Sequence, residues 1–310
     1  MSEVVEVNAA IFNDTSDSFH FGCSVVMREL YRRLTQQGMH PVWRHKVGED
    51  WRCDRSAADS GAELVIVNGE GSIHHTAKRQ RALALSEVGP FARDQLKVPS
   101  FLINSTIFEI DSHVADNLKK FTRIWVRDSA SRVELERYGI PSDVVPDLSI
   151  GASFPEVRRR SGIGVTDSVL PAVTDALKDR ALRESWAYKP IKWWRNGDAQ
   201  LTSIPQPTEY ATFLSAHELV LSGRYHAVAL CVATKTPFIA IESNTPKISS
   251  LLTDIFGSCR RLVAPSALAD INVAQFVGWT KEEEESLDHF LDLAGKRMAS
   301  MMNEIRAAAN

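Results

Sequence analysis

Short apolar runs alternate with stretches of helical periodicity along most of the chain. The runs are continuous rather than alternating, which is typical of parallel strands covered by helices on both faces. In the first half they lie at 63–72, 98–107, 123–131 and 143–150, and in the second half in "GIGVTDS", "HELVLSGR", "PFIAIES" and "CRRLVAP". The pattern predicts two α/β halves, each built on a parallel sheet.

The composition changes at "SFPEVRRRSGIGVTDSV", residues 153–169, where a proline and three arginines precede a new strand. A chain of 310 residues also exceeds the usual length of a single domain. We therefore predict two doubly wound, Rossmann-like domains that face a cleft, at 1–157 and 158–310, with the arginines at 158–160 in a solvated linker. An amphipathic helix at 281–305 is predicted to pack its apolar stripe against the core.

Composition excludes several classes of protein. Apolar residues make up 44% and charged residues 24%, as in a globular enzyme, and the net charge of −3 argues against a nucleic-acid binder. The four cysteines, Cys23, Cys53, Cys231 and Cys259, show no CxxC spacing and no paired rhythm, so we expect neither a metal site nor disulfides, and no cofactor. Without a signal peptide or an apolar run of about 18 residues, the chain is expected to be soluble and cytoplasmic.

Polar residues cluster where the predicted strands end. In open α/β sheets, ligands bind beyond the carboxyl ends of the strands, so these residues are expected to line the cleft. The donor is expected to bind mainly to the second domain, with Arg127 contributed by the first. The predicted donor-binding residues are Arg127, Ser222, Arg224, Ser243, Asn244, Thr245 and Lys247. To the acceptor side or the cleft we assign Asn13, Asp14, His20, Asn68, Asp147 and Asp167, together with Glu70 and His226 as catalytic candidates.

Each catalytic or binding candidate has a chemical reason. Arg224 offers a planar fork for a carboxylate or phosphate, and His226 follows it at the opening of a helix as a proton-transfer group. Glu70 lies between two glycines, where a turn at a strand end could hold it as a general base. In "SNTPKI", Thr245 is predicted as N-cap and Pro246 as the first helical residue, so that free N–H groups and Lys247 form an anion site.

Plainer interpretations stay open at this point. Arg224 could lie in a surface loop, His226 could be a structural histidine, and Lys247 could face solvent on a well-capped helix. His74 and His75 are poor metal ligands as a pair, because adjacent histidines do not share a helix face and no carboxylate–histidine spacing supports them.

Three segments resemble the polysaccharide pyruvyl transferase family: "LVLSGRYHAVALCVATKTPFIAIESNTPKI", "VRDSAS" followed by "VVPDLSI", and the turn "VNGEGSI". The resemblance implies a GT-B-type protein with two domains. It matches Arg224 and His226 to a Ser-x-Arg-x-His signature and Arg127 to an Arg-Asp-x-x-Ser signature. The sequence departs from the family in carrying Glu70 in the glycine turn and "NDTSDSFHFG" in place of an early Asn-x-Gly-Asp pattern.

The resemblance leaves two activities open. The first transfers a pyruvyl group from phosphoenolpyruvate to a sugar hydroxyl of a cell-surface polysaccharide or glycolipid precursor, reached in the cytoplasm or at the inner membrane. The second is a glycosyltransferase that uses a nucleotide-activated sugar, such as a CMP-linked keto-acid sugar of the Kdo or sialic-acid type. Both donors carry a carboxylate beside the reacting carbon and a phosphate leaving group, but only the enol must be protonated on carbon, which requires an acid such as His226. A non-catalytic glycan-binding protein is a third interpretation.

Overall fold

The computed structural model describes residues 6–54, 56–157, 159–192 and 206–309. It divides into two compact units, each with one parallel sheet, which confirms the predicted pair of α/β domains. Unit 1 comprises Met1–Asp17, Met27–Leu148 and Gly295–Asn310, and unit 2 comprises Ser18–Val26 and Ser149–Ala294.

The sheet of unit 1 has six strands in the order β2-β1-β3-β4-β5-β6, and all neighbours are parallel. Buried aliphatic and aromatic side chains such as Phe12, Val67 and Leu102 form its core. The strands are β1 (Val7–Asp14), β2 (Met39–Lys46), β3 (Leu64–His74), β4 (Ser100–Phe108), β5 (Arg123–Val126) and β6 (Asp143–Val144).

Helices connect these strands, as a parallel sheet requires. They are α1 (Phe21–Gln36), α2 (Gln80–Ser86), α3 (Val88–Phe91), α4 (Ser112–Leu118) and α5 (Ser129–Glu136). Asp128 is the N-cap of α5, and its side chain accepts a hydrogen bond from the Ser131 N–H.

The sheet of unit 2 has five parallel strands in the order β11-β10-β9-β7-β8. Val165, Leu221 and Ile241 lie in its core. The elements are β7 (Ile163–Ser168), α6 (Pro171–Arg183), β8 (Ala187–Tyr188), α7 (Pro207–Ser215), β9 (Leu219–Gly223), α8 (Tyr225–Ala233), β10 (Phe238–Ile241), α9 (Lys247–Phe256), β11 (Leu262–Val263) and α10 (Lys281–Ala307).

Both units are discontinuous in sequence, whereas the sequence predicts two continuous domains at 1–157 and 158–310. Helix α1 contributes Phe21–Val26 to unit 2 and its remainder to unit 1, and α10 passes from unit 2 to unit 1 at Gly295. An amphipathic pattern shows that one face of a helix is buried but does not show which core buries it.

The arginines at 158–160 were predicted to lie in a solvated linker, and for Arg160 this prediction is wrong. The Arg160 guanidinium donates to the Lys235 and Thr234 carbonyls at 2.7 and 2.9 Å, next to the end of α8. It thus provides partners for carbonyl groups that a helix leaves unsatisfied at its C-terminus. Arg159 is exposed, and Arg158 lies outside the described residues.

Candidate active site

The turn from β9 into α8 carries the arginine and histidine of the sequence motif. Gly223 ends β9, and a Cβ atom placed on it would lie 2.6 Å from Ser168 Cβ and Oγ. Glycine is therefore required here because the neighbouring strand β7 packs against it. The next residue, Arg224, is the N-cap of α8 and has extended backbone angles.

Arg224 is oriented by an ion pair. Its Nε and Nη2 atoms both donate to Asp167 Oδ2, at 2.8 and 2.5 Å, while Asp167 Oδ1 accepts from the Ile191 N–H at 2.9 Å. Nη1 of Arg224 makes no hydrogen bond to any residue that the structure describes. The carboxylate therefore fixes the plane of the guanidinium and leaves one amino group for a ligand.

Ser222 supports the arginine from the backbone side. Its Oγ accepts from the Arg224 N–H at 3.0 Å and from Thr166 Oγ1 at 2.7 Å, and the residue is completely buried. These hydrogen bonds stabilise the turn. A contact between Ser222 and the donor stays a prediction.

His226 lies one residue inside α8 and is 8% exposed. A Cβ atom on Gly22 would lie 2.2 Å from His226 Cβ, so the start of α1 packs directly on this histidine. The rings of His20 and His226 are T-shaped with centroids 5.4 Å apart. The structure therefore brings His20, an acceptor-side candidate, next to the predicted catalytic histidine.

His20 precedes α1 and caps it, since its Nδ1 accepts from the Cys23 N–H at 3.3 Å. Burial lowers the pKa of His20 well below its usual range, and the charges of His226, Arg224 and Lys192 lower it further. His20 is therefore neutral near pH 7, while Arg224 and Lys192 supply positive charge around it.

The start of α9 differs from the prediction. Helix α9 begins at Lys247 after Pro246 as N-cap, so Thr245 as N-cap and Pro246 as first helical residue are both wrong. Glu242 provides the capping group instead: its Oε1 accepts from the Ile248 N–H at 3.3 Å and its Oε2 from the Ser249 N–H at 3.0 Å. The anion expected at this helix N-terminus is thus a side chain of the protein itself.

The other residues of this turn contact one another. Lys247 Nζ donates to Asn244 Oδ1 at 3.2 Å, and Ser243 Oγ donates to the same oxygen at 3.2 Å. Thr245 and Lys247 are buried, whereas Asn244 is exposed. Because β10 pairs with β9 in parallel, this turn and Arg224 follow neighbouring strands at the same edge of the sheet. Their roles as anion ligands stay predictions.

Glu70 lies in unit 1 within β3, which continues through Gly69 and Gly71 to His74, so the predicted glycine turn is wrong. Glu70 Oε1 accepts from Thr15 Oγ1 at 2.5 Å and from Asn68 Nδ2 at 3.1 Å. The residue is 6% exposed, so these donors hold a carboxylate that is nearly enclosed by protein. Its role as general base stays a prediction.

Three residues of the unit 1 sheet share a rare backbone conformation. Asn13, Glu70 and Asn104 have φ angles of 61°, 42° and 55°, and they lie on the adjacent strands β1, β3 and β4. Asn13 Nδ2 donates to the Asn68 carbonyl at 2.5 Å, and Asn104 Nδ2 donates to Asn68 Oδ1 at 3.2 Å. Each such residue costs about 1–3 kcal/mol, and such strain concentrates at functional sites.

Arg127 and two residues assigned to the acceptor side or the cleft, Asp147 and Asp14, are buried in unit 1. Arg127 Nη1 donates to Asp147 Oδ2 at 2.9 Å and its Nε donates to Thr106 Oγ1 at 2.6 Å, and both charged side chains are almost inaccessible. Asp14 accepts from the Tyr31 hydroxyl at 2.5 Å, and burial together with this carboxylate raises the pKa of Tyr31. These contacts favour structural roles, while the predicted ligand roles stay untested.

The predicted residues thus form separate groups. His20, Asp167, Ser222, Arg224 and His226 come together in unit 2, and Asn13, Asn68 and Glu70 in unit 1. Sequence reasoning missed Cys23 and Glu242. The spacing His20-x-x-Cys23 was a usable signal for the first of them, because CxxC spacing alone does not find a mixed pair of histidine and cysteine.

Comparison with known proteins decides the family. The family model of polysaccharide pyruvyl transferase matches residues 22–245, most of the chain and all of the Arg224–His226 region. The chain belongs to the polysaccharide pyruvyl transferase family. It is therefore a transferase that acts on polysaccharide, as the sequence motifs indicated. No curated protein sequence matches it significantly.

Solved structures share the fold of the transferase. KP1_0663 of Klebsiella pneumoniae has a TM-score of 0.52 at 12% identity, over 84% of this chain and 92% of that one. UDP-GlcNAc 2-epimerase of Methanocaldococcus jannaschii has a TM-score of 0.53 at 10% identity, over 96% of this chain and 100% of that one. At such identities the likeness shows the fold alone, and it confirms the GT-B-like architecture. No helix within the described residues has the length and apolar character needed to cross a bilayer.

Proposed function

We propose that the transferase moves a pyruvyl group from phosphoenolpyruvate onto a sugar of its polysaccharide acceptor. The observation that carries this proposal is the arrangement of Arg224 and His226. Asp167 accepts hydrogen bonds from Nε and Nη2 of Arg224, so Nη1 can donate to a ligand. His226, which is nearly buried, follows at the second position of α8. An anion ligand and a proton-transfer group then stand at the same edge of the unit 2 sheet.

In this reaction His226 protonates C3 of phosphoenolpyruvate, and the methylene becomes a methyl group. A sugar hydroxyl forms a bond to C2, which carries developing positive charge, and loses its proton to a base. A second hydroxyl of the same sugar then bonds to C2 and gives its proton to the departing phosphate, while the C2–O bond to phosphate breaks and inorganic phosphate leaves with the electron pair. Arg224 Nη1 binds the donor carboxylate or phosphate throughout, and Asp167 acts as its positioning residue.

Deuterium from solvent tests this reaction directly. The purified protein is incubated in D₂O with phosphoenolpyruvate and a panel of p-nitrophenyl hexosides, and products are analysed by mass spectrometry. We expect phosphate release that depends on a sugar, and a product whose methyl group contains one solvent deuterium. A nucleotide-sugar reaction transfers no solvent hydrogen to carbon.

A binding measurement covers the case in which the panel lacks the acceptor. We expect phosphoenolpyruvate to raise the melting temperature of the wild type, and to do so less in Arg224→Lys. If CMP stabilises the protein while phosphoenolpyruvate has no effect, the donor is a nucleotide sugar and the proposal is wrong.

A further inference from the structure

Two histidines and a cysteine of unit 2 converge where α1 and α8 begin. His20, Cys23 and His226 each offer one ligand atom, and these three atoms lie within 4.8 Å of one another. His20 is partly buried, and Cys23 and His226 are buried, at 9% and 8% exposure. The site thus combines two imidazole nitrogens with one sulfur.

Packing at Gly22 creates this convergence. Gly22 lies between the two ligands of the first segment, and it allows the chain to approach His226 so closely that a Cβ would overlap it at 2.2 Å. Two further contacts hold the segment: the Phe21 N–H donates to the Ile191 carbonyl at 3.1 Å, and the Phe21 and Tyr210 rings stack with centroids 4.9 Å apart. The ligands therefore come from two anchored helix starts.

We propose that His20, Cys23 and His226 bind one transition-metal ion of the Zn²⁺ type. Zinc–nitrogen bonds of about 2.0–2.1 Å and zinc–sulfur bonds of about 2.3 Å place tetrahedral ligand atoms about 3.4–3.6 Å apart. Ligand atoms that now lie as far as 4.8 Å apart must therefore move closer by about 1.2–1.4 Å, which side-chain rotation provides. Coordination through His20 Nδ1 would replace its 3.3 Å hydrogen bond from Cys23.

The ligand set selects the kind of metal. Imidazole and thiolate favour Zn²⁺, Co²⁺ and Cu⁺ over Mg²⁺ and Mn²⁺, which prefer oxygen ligands. Arg224 and Lys192 bring positive charge to the site, and this charge repels a metal cation. The negative charge of the Cys23 thiolate must therefore offset part of that repulsion. Three protein ligands leave a fourth position open, and the same positive charge favours an anion there.

Metal binding has a consequence for turnover, and this part of the inference rests on the proposed function. A ring nitrogen of His226 that coordinates a metal cannot protonate C3 of phosphoenolpyruvate. Zn²⁺ is therefore expected to inhibit the transferase, with His20 and Cys23 setting the metal concentration at which inhibition occurs.

A cobalt titration tests the site without any activity measurement. The full chain is stripped with EDTA and titrated with Co²⁺ under reducing conditions. We expect one Co²⁺ per chain, with intense visible d–d bands of a tetrahedral ion and a near-ultraviolet sulfur-to-cobalt charge-transfer band, all displaced by one equivalent of Zn²⁺. A folded wild type that shows no sulfur-to-cobalt band overturns the proposal.

Variants identify the ligands. Cys23→Ser should lose the sulfur band and bind Co²⁺ at least about tenfold more weakly, since even the loss of an outer-shell partner costs that much. Cys53→Ser removes an exposed thiol from unit 1 and should bind Co²⁺ like the wild type. His20→Gln gives a second variant, and it should weaken binding while keeping the sulfur band. An unchanged band in Cys23→Ser, or a band lost in Cys53→Ser, contradicts the assignment.

The activity arm separates the two proposals. The Zn²⁺ concentration that halves the transfer rate should rise at least about tenfold in Cys23→Ser. If Co²⁺ binds as described and phosphoenolpyruvate is not a donor, the metal site stands and the proposed function fails. If transfer occurs and no cobalt–sulfur band forms, the proposed function stands and the metal site fails.

Discussion

Single residues divide the proposed chemistry between binding and proton transfer. A guanidinium binds anions but is not a proton donor near neutral pH, whereas an imidazole is the usual side chain for proton transfer there. Different contacts hold the two side chains in place. Arg224 forms an ion pair with Asp167, whereas His226 packs against Gly22. Substitutions should therefore affect different kinetic constants.

Arg224→Lys should raise the KM for the donor by about tenfold or more, because an ammonium group cannot reach both Asp167 and a bound anion as a planar fork does. His226→Gln should leave donor binding within a few-fold and lower kcat by about 10²-fold or more. Steady-state kinetics of the two variants side by side provides the measurement. If His226→Gln weakens donor binding and leaves kcat alone, His226 is a binding residue.

Glu70→Gln keeps the size of the side chain and an oxygen that can still accept from Thr15 and Asn68, but it removes the carboxylate that we propose as the general base. We expect kcat to fall about 10²–10⁴-fold with the donor KM unchanged. The control is Glu63→Gln, which changes an exposed carboxylate of unit 1 whose Oε2 accepts from the Asn8 N–H at 2.9 Å. Turnover of Glu70→Gln within a factor of a few of the wild type would show that Glu70 only supports the sheet.

At the scale of secondary-structure elements, helix packing depends on how closely two backbones can approach each other. The starts of α1 and α8 contact each other through Gly22 and His226, and no other residue type leaves room for that contact. In contrast, Gly295 lies within α10 with open space where a side chain would begin. The two glycines therefore predict opposite effects for the same substitution.

Gly22→Ala should destabilise the protein by about 1–3 kcal/mol, as overpacking does, and should lower kcat because His226 must move. Gly295→Ala should leave stability unchanged or raise it by up to about 1 kcal/mol, since alanine favours the helix. Urea unfolding followed by circular dichroism measures both values. Equal stability of the two variants would mean that α1 does not pack on His226 as described.

The elements themselves were largely predictable, and their termini were not. Continuous apolar runs located β3, β4, β7, β9 and β10, because strands buried on both faces need apolar side chains throughout. The glycines beside Glu70 suggested a turn, yet β3 accommodates Glu70 by placing it at positive φ. The start of α9 differs from its prediction because the carboxylate that caps it, Glu242, belongs to the segment before the helix, directly after β10.

At the scale of the whole molecule, neither unit corresponds to a continuous piece of the chain. The last segment, Gly295–Asn310, belongs to unit 1, although it follows the whole of unit 2 in sequence. Periodicity predicted the helix that carries this segment, but the unit that buries it depends on long-range contacts that no local pattern encodes. The predicted domain 1–157 therefore lacks a part of unit 1.

Removing residues 295–310 should therefore destabilise unit 1. The segment buries Met298, Met301, Met302 and Ile305, each at 1% exposure or less, and full burial of such a side chain contributes about 1.5–3 kcal/mol. Four of them amount to about 6–12 kcal/mol, which is comparable to the entire stability of a domain. The segment also contributes hydrogen bonds from Arg297 Nη1 to the Val144 carbonyl at 3.1 Å and from Gln37 Nε2 to Asn303 Oδ1 at 3.0 Å.

Limited proteolysis followed by mass spectrometry should find early cleavage within Met27–Leu148 in the truncated chain, and a chain that lacks only residues 308–310 is the control. If the truncated protein resists protease as well as the control does, unit 1 folds without the segment and its division from unit 2 must be drawn elsewhere.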